Sequence, residues 1–217
     1  MGKDQLLGDL ESFFARHKSF SFKKGEIVLR AGDIPQGVYC IKKGYIRLYA
    51  LSEEGKELTF IIYKAGDFFP VVWTLKEEPS RYYFQALTFT ETKRVPRAEF
   101  LDLILKNPEV FFRLTQDMAT RFQASLRRME YLVFGKVQQR LASLLWGLAR
   151  QFGKKERKNT IIQVPLTHTD LASLLGVTRE TISLEMKKLE RERIVAYKKR
   201  LIRIKSLTKL HKEANLP

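Results

Sequence analysis

"GVTRETISLEMKKLERERI", residues Gly176 to Ile194, sets a glycine turn before a short helix and decides how the C-terminal half is read. Ile182, Met186 and Leu189 recur at i, i+4 and i+7, which gives one apolar stripe for burial. On the opposite side, at about 100° per residue, lie Glu180, Ser183, Leu184, Lys187 and Arg191. Leu184 points about 160° away from Ile182, so a regular helix cannot bury it with the stripe. A leucine amid a charged face asks for an explanation.

The flanking segments complete a motif. "LTHTDLASLLG" reads as the preceding helix, with Thr167 as N-cap and Asp170 three residues on. Gly176 turns the chain and Thr178 caps the next helix. "IVAYKKRLIRIKS" gives two short strands around "KKR". Helix, turn, helix and basic hairpin make a winged helix-turn-helix, whose second helix enters the major groove of DNA. Upstream, "KVQQRLASLLWGLARQFG" is a helix ending at Gly153, followed by a charged loop, "GKKERKN", and a strand, "TIIQV".

Further back, a short helix at 97–106 stops at Asn107-Pro108, and a long helix runs from Pro108 to about Phe134. Leu114, Met118, Phe122, Ser125, Met129 and Leu132 form a stripe of steps three and four. That stripe suits a two-stranded seam between protomers, the alternative being packing on the helix's own domain. From Phe20 to Val95, β-branched and aromatic runs alternate with turn signals, and "QLLGDLESFFARH" before them reads as an amphipathic helix. Short strands at regular spacing predict an antiparallel sandwich or barrel. Glycines 25, 32, 37, 44, 55 and 66 are expected to supply turns with positive φ. The expected fold class is α+β: a jelly roll at 1–107, a dimerisation helix at 108–134, and a winged helix-turn-helix at 135–217.

Charge agrees with this order. From Gly135 onward there are 19 Lys/Arg against 7 Asp/Glu, net +12, within a chain total of +16. A basic half is the footprint of a polyanion partner, nucleic acid or an anionic membrane, the alternative being a solubilising surface. No apolar run approaches the ~20 residues of a membrane span, and the N-terminus lacks a secretory stretch, so a cytosolic protein is expected. Met1-Gly2 is followed at position six by Leu6, which argues against myristoylation. Cys40, the single cysteine, reads as a buried strand thiol, a redox role being the alternative, and His17, His168 and His211 have no metal-ligand spacing. No G-x-S-x-G, H-E-x-x-H or P-loop pattern appears, so neither catalytic residues nor a metal site is expected.

"FKKGEIVLRAGD", "VYCIKKGYIRLYALSEEGKE", "NPEVFFRLTQDMATRFQ" and "LASLLGVTRETISLEMKKLE", in that order, resemble the Crp/Fnr family of bacterial transcription regulators over roughly residues 10–206. The resemblance implies a cyclic-nucleotide-binding jelly roll, a dimerisation helix and a DNA-binding domain. Arg179 can fork onto guanine O6/N7 and Glu180 can accept from cytosine N4, and "RET" matches the family's reading motif. Ser183 is a further base or phosphate donor. Many members have arginine where this chain has Leu184, which either touches a thymine methyl or drops the guanine contact. Thr167, Thr178, Lys187, Lys188, Arg191, Lys198, Lys199 and Arg200 are candidate phosphate contacts. Two-fold symmetry implies a pseudo-palindromic operator on double-stranded DNA, with half-sites about 34–36 Å apart. The loop "GKKERKN" either meets RNA polymerase or is simply solvated.

The sensor departs from the family pattern. In cyclic-AMP binders a Gly-Glu holds the ribose, and an Arg-Ser/Thr-Ala clamps the phosphate. Here Pro70 and Val71 occupy the Gly-Glu positions, and Arg81 is followed by Tyr82 and Tyr83. Proline offers no N–H and valine cannot accept a hydroxyl. Ser125 and Leu126 stand where adenine is contacted. A cyclic-AMP site of the usual type is therefore not expected, no cofactor is assigned, and the effector stays unnamed. Arg81, Tyr82, Tyr83, Phe69 and Ser125 are the candidate pocket residues, unless the aromatics fill the space as core. Two functions compete: an effector-responsive regulator, or a constitutive DNA binder with a ligand-free sensor.

Overall fold

The structure, a computed structural model, describes residues 12–214. Most of the helix expected over "QLLGDLESFFARH" lies outside the described residues; residues 12–15 are helical. Two compact units form, the first ending at Arg121 and the second beginning at Phe122, except that Lys56–Leu58 group with the second.

The first unit pairs two four-stranded antiparallel sheets. One has the order β1 (Lys18–Phe22), β8 (Thr90–Pro96), β3 (Gly37–Lys43), β6 (Phe68–Phe69). The other runs β2 (Ile27–Leu29), β7 (Tyr83–Ala86), β4 (Ile46–Leu51), β5 (Glu57–Tyr63). Eight strands in two sheets are jelly-roll architecture. A short helix that the sequence pattern does not disclose, α1 (Val71–Lys76), follows a cis Phe69–Pro70 bond. Strand β3, "GVYCIKK", is buried over its first five residues because both of its faces are covered. Val38 and Cys40 pack with Val95, Phe100, Ile104 and Val110, under α2 (Arg97–Lys106) and the start of α3 (Pro108–Phe134). Tyr39 and Ile41, one residue out of phase, meet Ile46, Leu48, Phe69 and Phe84 between the sheets. The period-two alternation thus feeds two apolar layers rather than one apolar and one wet face.

Five of the six expected turn glycines have positive φ. Gly37 does not, and its requirement is different. A Cβ there would come within 2.0 Å of the Val95 carbonyl oxygen, so close approach of β3 to β8 excludes any side chain.

In the second unit, α4 (Val137–Phe152) carries Leu141, Leu145, Leu148 and Phe152 into a core. The expected loop "GKKERKN" is instead part of a hairpin, β9 (Gly153–Glu156) and β10 (Asn159–Ile162), with Arg157 at positive φ in the turn. The same sheet continues with β12 (Leu201–Ile204) and β11 (Val195–Lys198). Helices α5 (His168–Leu175) and α6 (Arg179–Arg191) follow the expected bounds. A last helix, α7 (Leu207–Glu213), lies beyond the motif read from the sequence and buries Leu210.

Candidate nucleic-acid interface

The two-helix element is fixed by its caps. Thr167 Oγ1 accepts from the Asp170 backbone N–H at 3.1 Å, and Asp170 Oδ2 accepts from the Thr167 N–H at 2.7 Å. That is a reciprocal capping box at the start of α5. Gly176, at φ 63, ends the helix in the left-handed conformation. The Arg128 and Arg140 guanidinium groups donate to the Leu174 and Leu175 carbonyls, the last of that helix. Burial first, and the neighbouring Arg140 charge second, pull Arg128 below the usual arginine range. Thr178 Oγ1 then accepts from the Thr181 N–H at 3.2 Å and starts α6.

Ile182, Met186 and Leu189 are fully buried, which fixes the rotation of α6. Its outward face presents Arg179, Glu180, Lys187 and Arg191, all exposed, together with Leu184 at 62% exposure. Among the described residues, none of the four charged side chains makes a hydrogen bond or ion pair. Glu180 in the first turn also suits the positive end of the helix dipole.

Other expected contact residues have internal roles. Ser183 is half-buried, hydrogen-bonded to His168 at 2.8 Å, and donates to the Arg179 carbonyl at 2.9 Å. Lys188 sits 2.7 Å from Glu185. Lys198 lies 2.5 and 2.6 Å from the two oxygens of Glu156 on the β9–β10 hairpin. That hydrogen bond, more than the charges of Arg203 and Arg157, holds the Glu156 carboxyl below the usual carboxylate range. Thr167 and Thr178 spend their hydroxyls on caps. Lys199 and Arg200 stay exposed at the tip of the β11–β12 turn, at φ 48 and 67. Two consecutive positive φ values are the pattern of a type I′ hairpin turn, normally Asn-Gly; here it carries two cations.

His168 and Tyr197 are the partners that sequence reasoning missed. His168 follows a cap, and the sequence alone suggests only a phosphate contact or an exposed side chain. The available signal, its place one residue past Thr167, does not reveal which strand lies above it.

In the long helix, Met118, Phe122, Ser125 and Met129 are exposed. Leu132 is half-buried, and Leu114 packs against the Val38–Phe100 layer of the jelly roll. Phe111, Leu126 and Val133 are also exposed, at 54%, 45% and 73%. At roughly 100° per residue, these three share a sector with Met118, Phe122 and Met129. The apolar stripe left uncovered is thus rotated from the one read off the sequence, toward Leu126 and away from Leu114.

Of the candidate sensor residues, Phe69 and Tyr82 belong to one aromatic cluster between the sheets. Phe69 is fully buried and stacked between Tyr39 at 5.2 Å and Phe84 at 5.3 Å. Tyr82 meets Phe60 and Trp73 edge-on at 5.0 and 5.8 Å, and Tyr83 stacks on Tyr49 at 5.3 Å. Arg81 is exposed. A cavity of about 260 Å³ in this unit is bounded by Asp33, Gln36, Tyr39 and Arg94, and none of the five candidates lines it. Among the described residues no cluster of His, Cys, Asp or Glu is grouped to hold a metal ion. Nor, among them, is any helix long and apolar enough to cross a membrane.

Residues 19–107 match the cyclic nucleotide-binding domain, and residues 139–213 match the Crp-like helix-turn-helix domain. The cAMP-activated global transcriptional regulator CRP of Salmonella typhimurium is 27% identical over 197 residues, 90% of this chain and 93% of that one. The global nitrogen regulator of Synechococcus elongatus is 26% identical over 185 residues, 84% and 83% of the two chains. Among solved structures, a CRP/FNR-family transcriptional regulator from Thermus thermophilus superposes with a TM-score of 0.72 at 26% identity, covering 91% of this chain and 98% of the other. With a nucleotide-binding-type jelly roll, a long helix and a winged helix-turn-helix in series, this chain belongs to the Crp/Fnr family of DNA-binding transcription regulators.

Proposed function

We propose that the chain acts as a homodimer that reads a pseudo-palindromic operator through the outward face of α6, with a base preference changed from the family's at the pair facing Leu184. The observation that carries this reading is the α6 surface itself. Arg179 and Glu180 project from the first turn with no internal hydrogen-bonding partner among the described residues, and an exposed leucine follows one turn later. Guanidinium and carboxylate read base edges; a leucine offers only van der Waals contact, which fits a thymine methyl. Lys187, Arg191, Lys199 and Arg200 supply sequence-independent attraction to phosphates. The exposed stripe from Phe111 to Val133 supports pairing of two long helices.

Selection of binding sites from random duplexes by the full chain tests the reading. The expected result is two inverted half-sites one helical turn apart, without a guanine requirement at the Leu184 position. Recovery of sequences with no common half-site would overturn it.

A second reading concerns the sensor. The stacked rings of Tyr39, Phe69 and Phe84, with Trp73 and Tyr82 edge-on beside them, occupy the space between the sheets. This supports a regulator that binds its operator without cyclic AMP. Operator affinity measured with and without cyclic AMP should be equal. A cyclic-AMP-dependent increase would reject this part alone. Strand β9 and the turn after it, basic and exposed, are the surface we assign to RNA polymerase, and the cytosol is the compartment this function requires.

A further inference from the structure

His168 is the second half of a question that Ser183 raises: why is a side chain on the reading helix turned inward? His168 Nδ1 lies 2.8 Å from Ser183 Oγ, and Nε2 lies 2.7 Å from the Tyr197 hydroxyl. Ser183 already donates its one hydroxyl hydrogen to the Arg179 carbonyl, at 2.9 Å. Its oxygen can therefore only accept from the ring, which puts the imidazole proton on Nδ1. Nε2 is then the acceptor, and Tyr197 must donate to it. The result is a chain of bonds running one way: Tyr197 O–H to Nε2, Nδ1–H to Ser183 Oγ, Ser183 O–H to the Arg179 carbonyl. It starts on wing strand β11, crosses the first residue of α5, and ends on the first turn of α6.

Burial, more than the surrounding charges, favours the neutral ring that this arrangement requires. Burial, then the Arg179 charge, draw the His168 ring below its ordinary value near 6.5, while Glu190 pulls the other way. Burial and Glu190 push the Tyr197 hydroxyl up to about 12.

We infer that His168 is a positioning residue for DNA reading: it ties the wing to the first turn of α6 and withdraws Ser183 from the bases, leaving Arg179, Glu180 and Leu184 as the reading set. This rests on the DNA-reading function proposed above. A loose wing would move Lys199 and Arg200 relative to Arg179; the relay removes that freedom before DNA arrives, which lowers the ordering cost of binding.

The test has two arms. Nitrogen-15 NMR of the histidine rings in the free full-length chain reads the tautomer without DNA. The expected spectrum has a protonated Nδ1 and an acceptor Nε2 for His168, lost in His168→Asn and altered in Tyr197→Phe. Binding-site selection and affinity measurement follow on the same proteins. Each broken bond of this kind contributes about 1 kcal/mol, so Tyr197→Phe and His168→Ala should weaken operator binding by about 5-fold or more. Ser183→Ala should leave the selected sequence unchanged. His168→Asn keeps a donor toward Ser183 and should retain the selected sequence while losing affinity as Tyr197→Phe does. A ring protonated on Nε2, a Ser183→Ala chain that selects a different base, or wild-type affinity in both Tyr197→Phe and His168→Ala would each overturn the inference. If the unaltered chain shows no sequence preference at all, the DNA reading fails and this inference fails with it.

Discussion

Arg121 Nη2 lies 3.1 Å from Asp67 Oδ1, and its guanidinium covers the Tyr63 ring at 4.8 Å from the centroid. One long-helix side chain thus reaches both the turn before β6, where Asp67 also accepts from the Lys64 N–H at 2.8 Å, and the end of β5. The geometry gives that part of α3 a defined seat on the jelly roll. Arg121→Ala removes a charge-assisted contact and a cation–π contact, and should lower stability by about 1–2 kcal/mol. Urea unfolding compared with the unaltered chain measures it; an unchanged midpoint would show the contact to be idle.

Tyr63 provides an alkaline signature. Burial, with Asp67 adding and Arg121 opposing, pushes its hydroxyl up to about 12 from an ordinary 10.0. The folded state therefore holds the proton more tightly than the unfolded chain. Its contribution is complete below pH 10 and declines as pH rises toward 12. Tyr197, also raised to about 12, adds to the same window. Stability measured against pH should fall across that range, and less steeply in Tyr63→Phe.

Leu184→Arg restores the guanidinium that many family members carry. A bidentate guanine contact is worth about 1–3 kcal/mol, so the variant should gain a guanine preference at one pair of each half-site by about 5- to 150-fold. Competition binding with single-base operator variants reads the change. If the preference at that pair does not move, Leu184 lies outside the reading surface.

The wing turn sets charge against backbone preference. Lys199 and Arg200 hold positive φ, which costs a residue with a side chain about 1–2 kcal/mol relative to glycine. Replacing them with Asn and Gly should raise thermal stability while weakening DNA binding. If both cations of each protomer meet phosphates, the slope of log affinity against log salt should become shallower by about 3.6 for the dimer. Unchanged salt dependence would place the turn away from DNA.

Phe122 is 63% exposed in the centre of the apolar stripe of α3. Phe122→Glu should weaken self-association by about 100-fold or more, because burying a charge in a helix seam is costly. Sedimentation at micromolar concentration distinguishes the two states. A dimer that survives both Phe122→Glu and Met129→Glu would have to pair elsewhere.

The bounds of α3, α5 and α6 are legible in the sequence because their signals are local. Pro108 opens a helix, Thr167 and Asp170 close a capping box, Gly176 alone accepts φ 63 cheaply, and Ile182, Met186 and Leu189 fix which face is buried. Cys40 is legible as a strand thiol for the same reason, since alternation in "GVYCIKK" places it on one face. The exposed apolar stripe of α3 is less legible: the spacing of Leu114 and Met118 suits one stripe, but the jelly roll claims Leu114 and leaves Leu126 outside.

What the sequence determined by itself was the succession of elements and their periodicity, because capping, turn conformation and amphipathic spacing act within a few residues along the chain. Which polar side chains remain outward was decided only by tertiary structure. His168 was matched with Ser183 and Tyr197 across 15 and 29 residues, and Lys198 with Glu156 across 42. Such pairings depend on how strands and helices stack in space, and no short-range pattern encodes that distance.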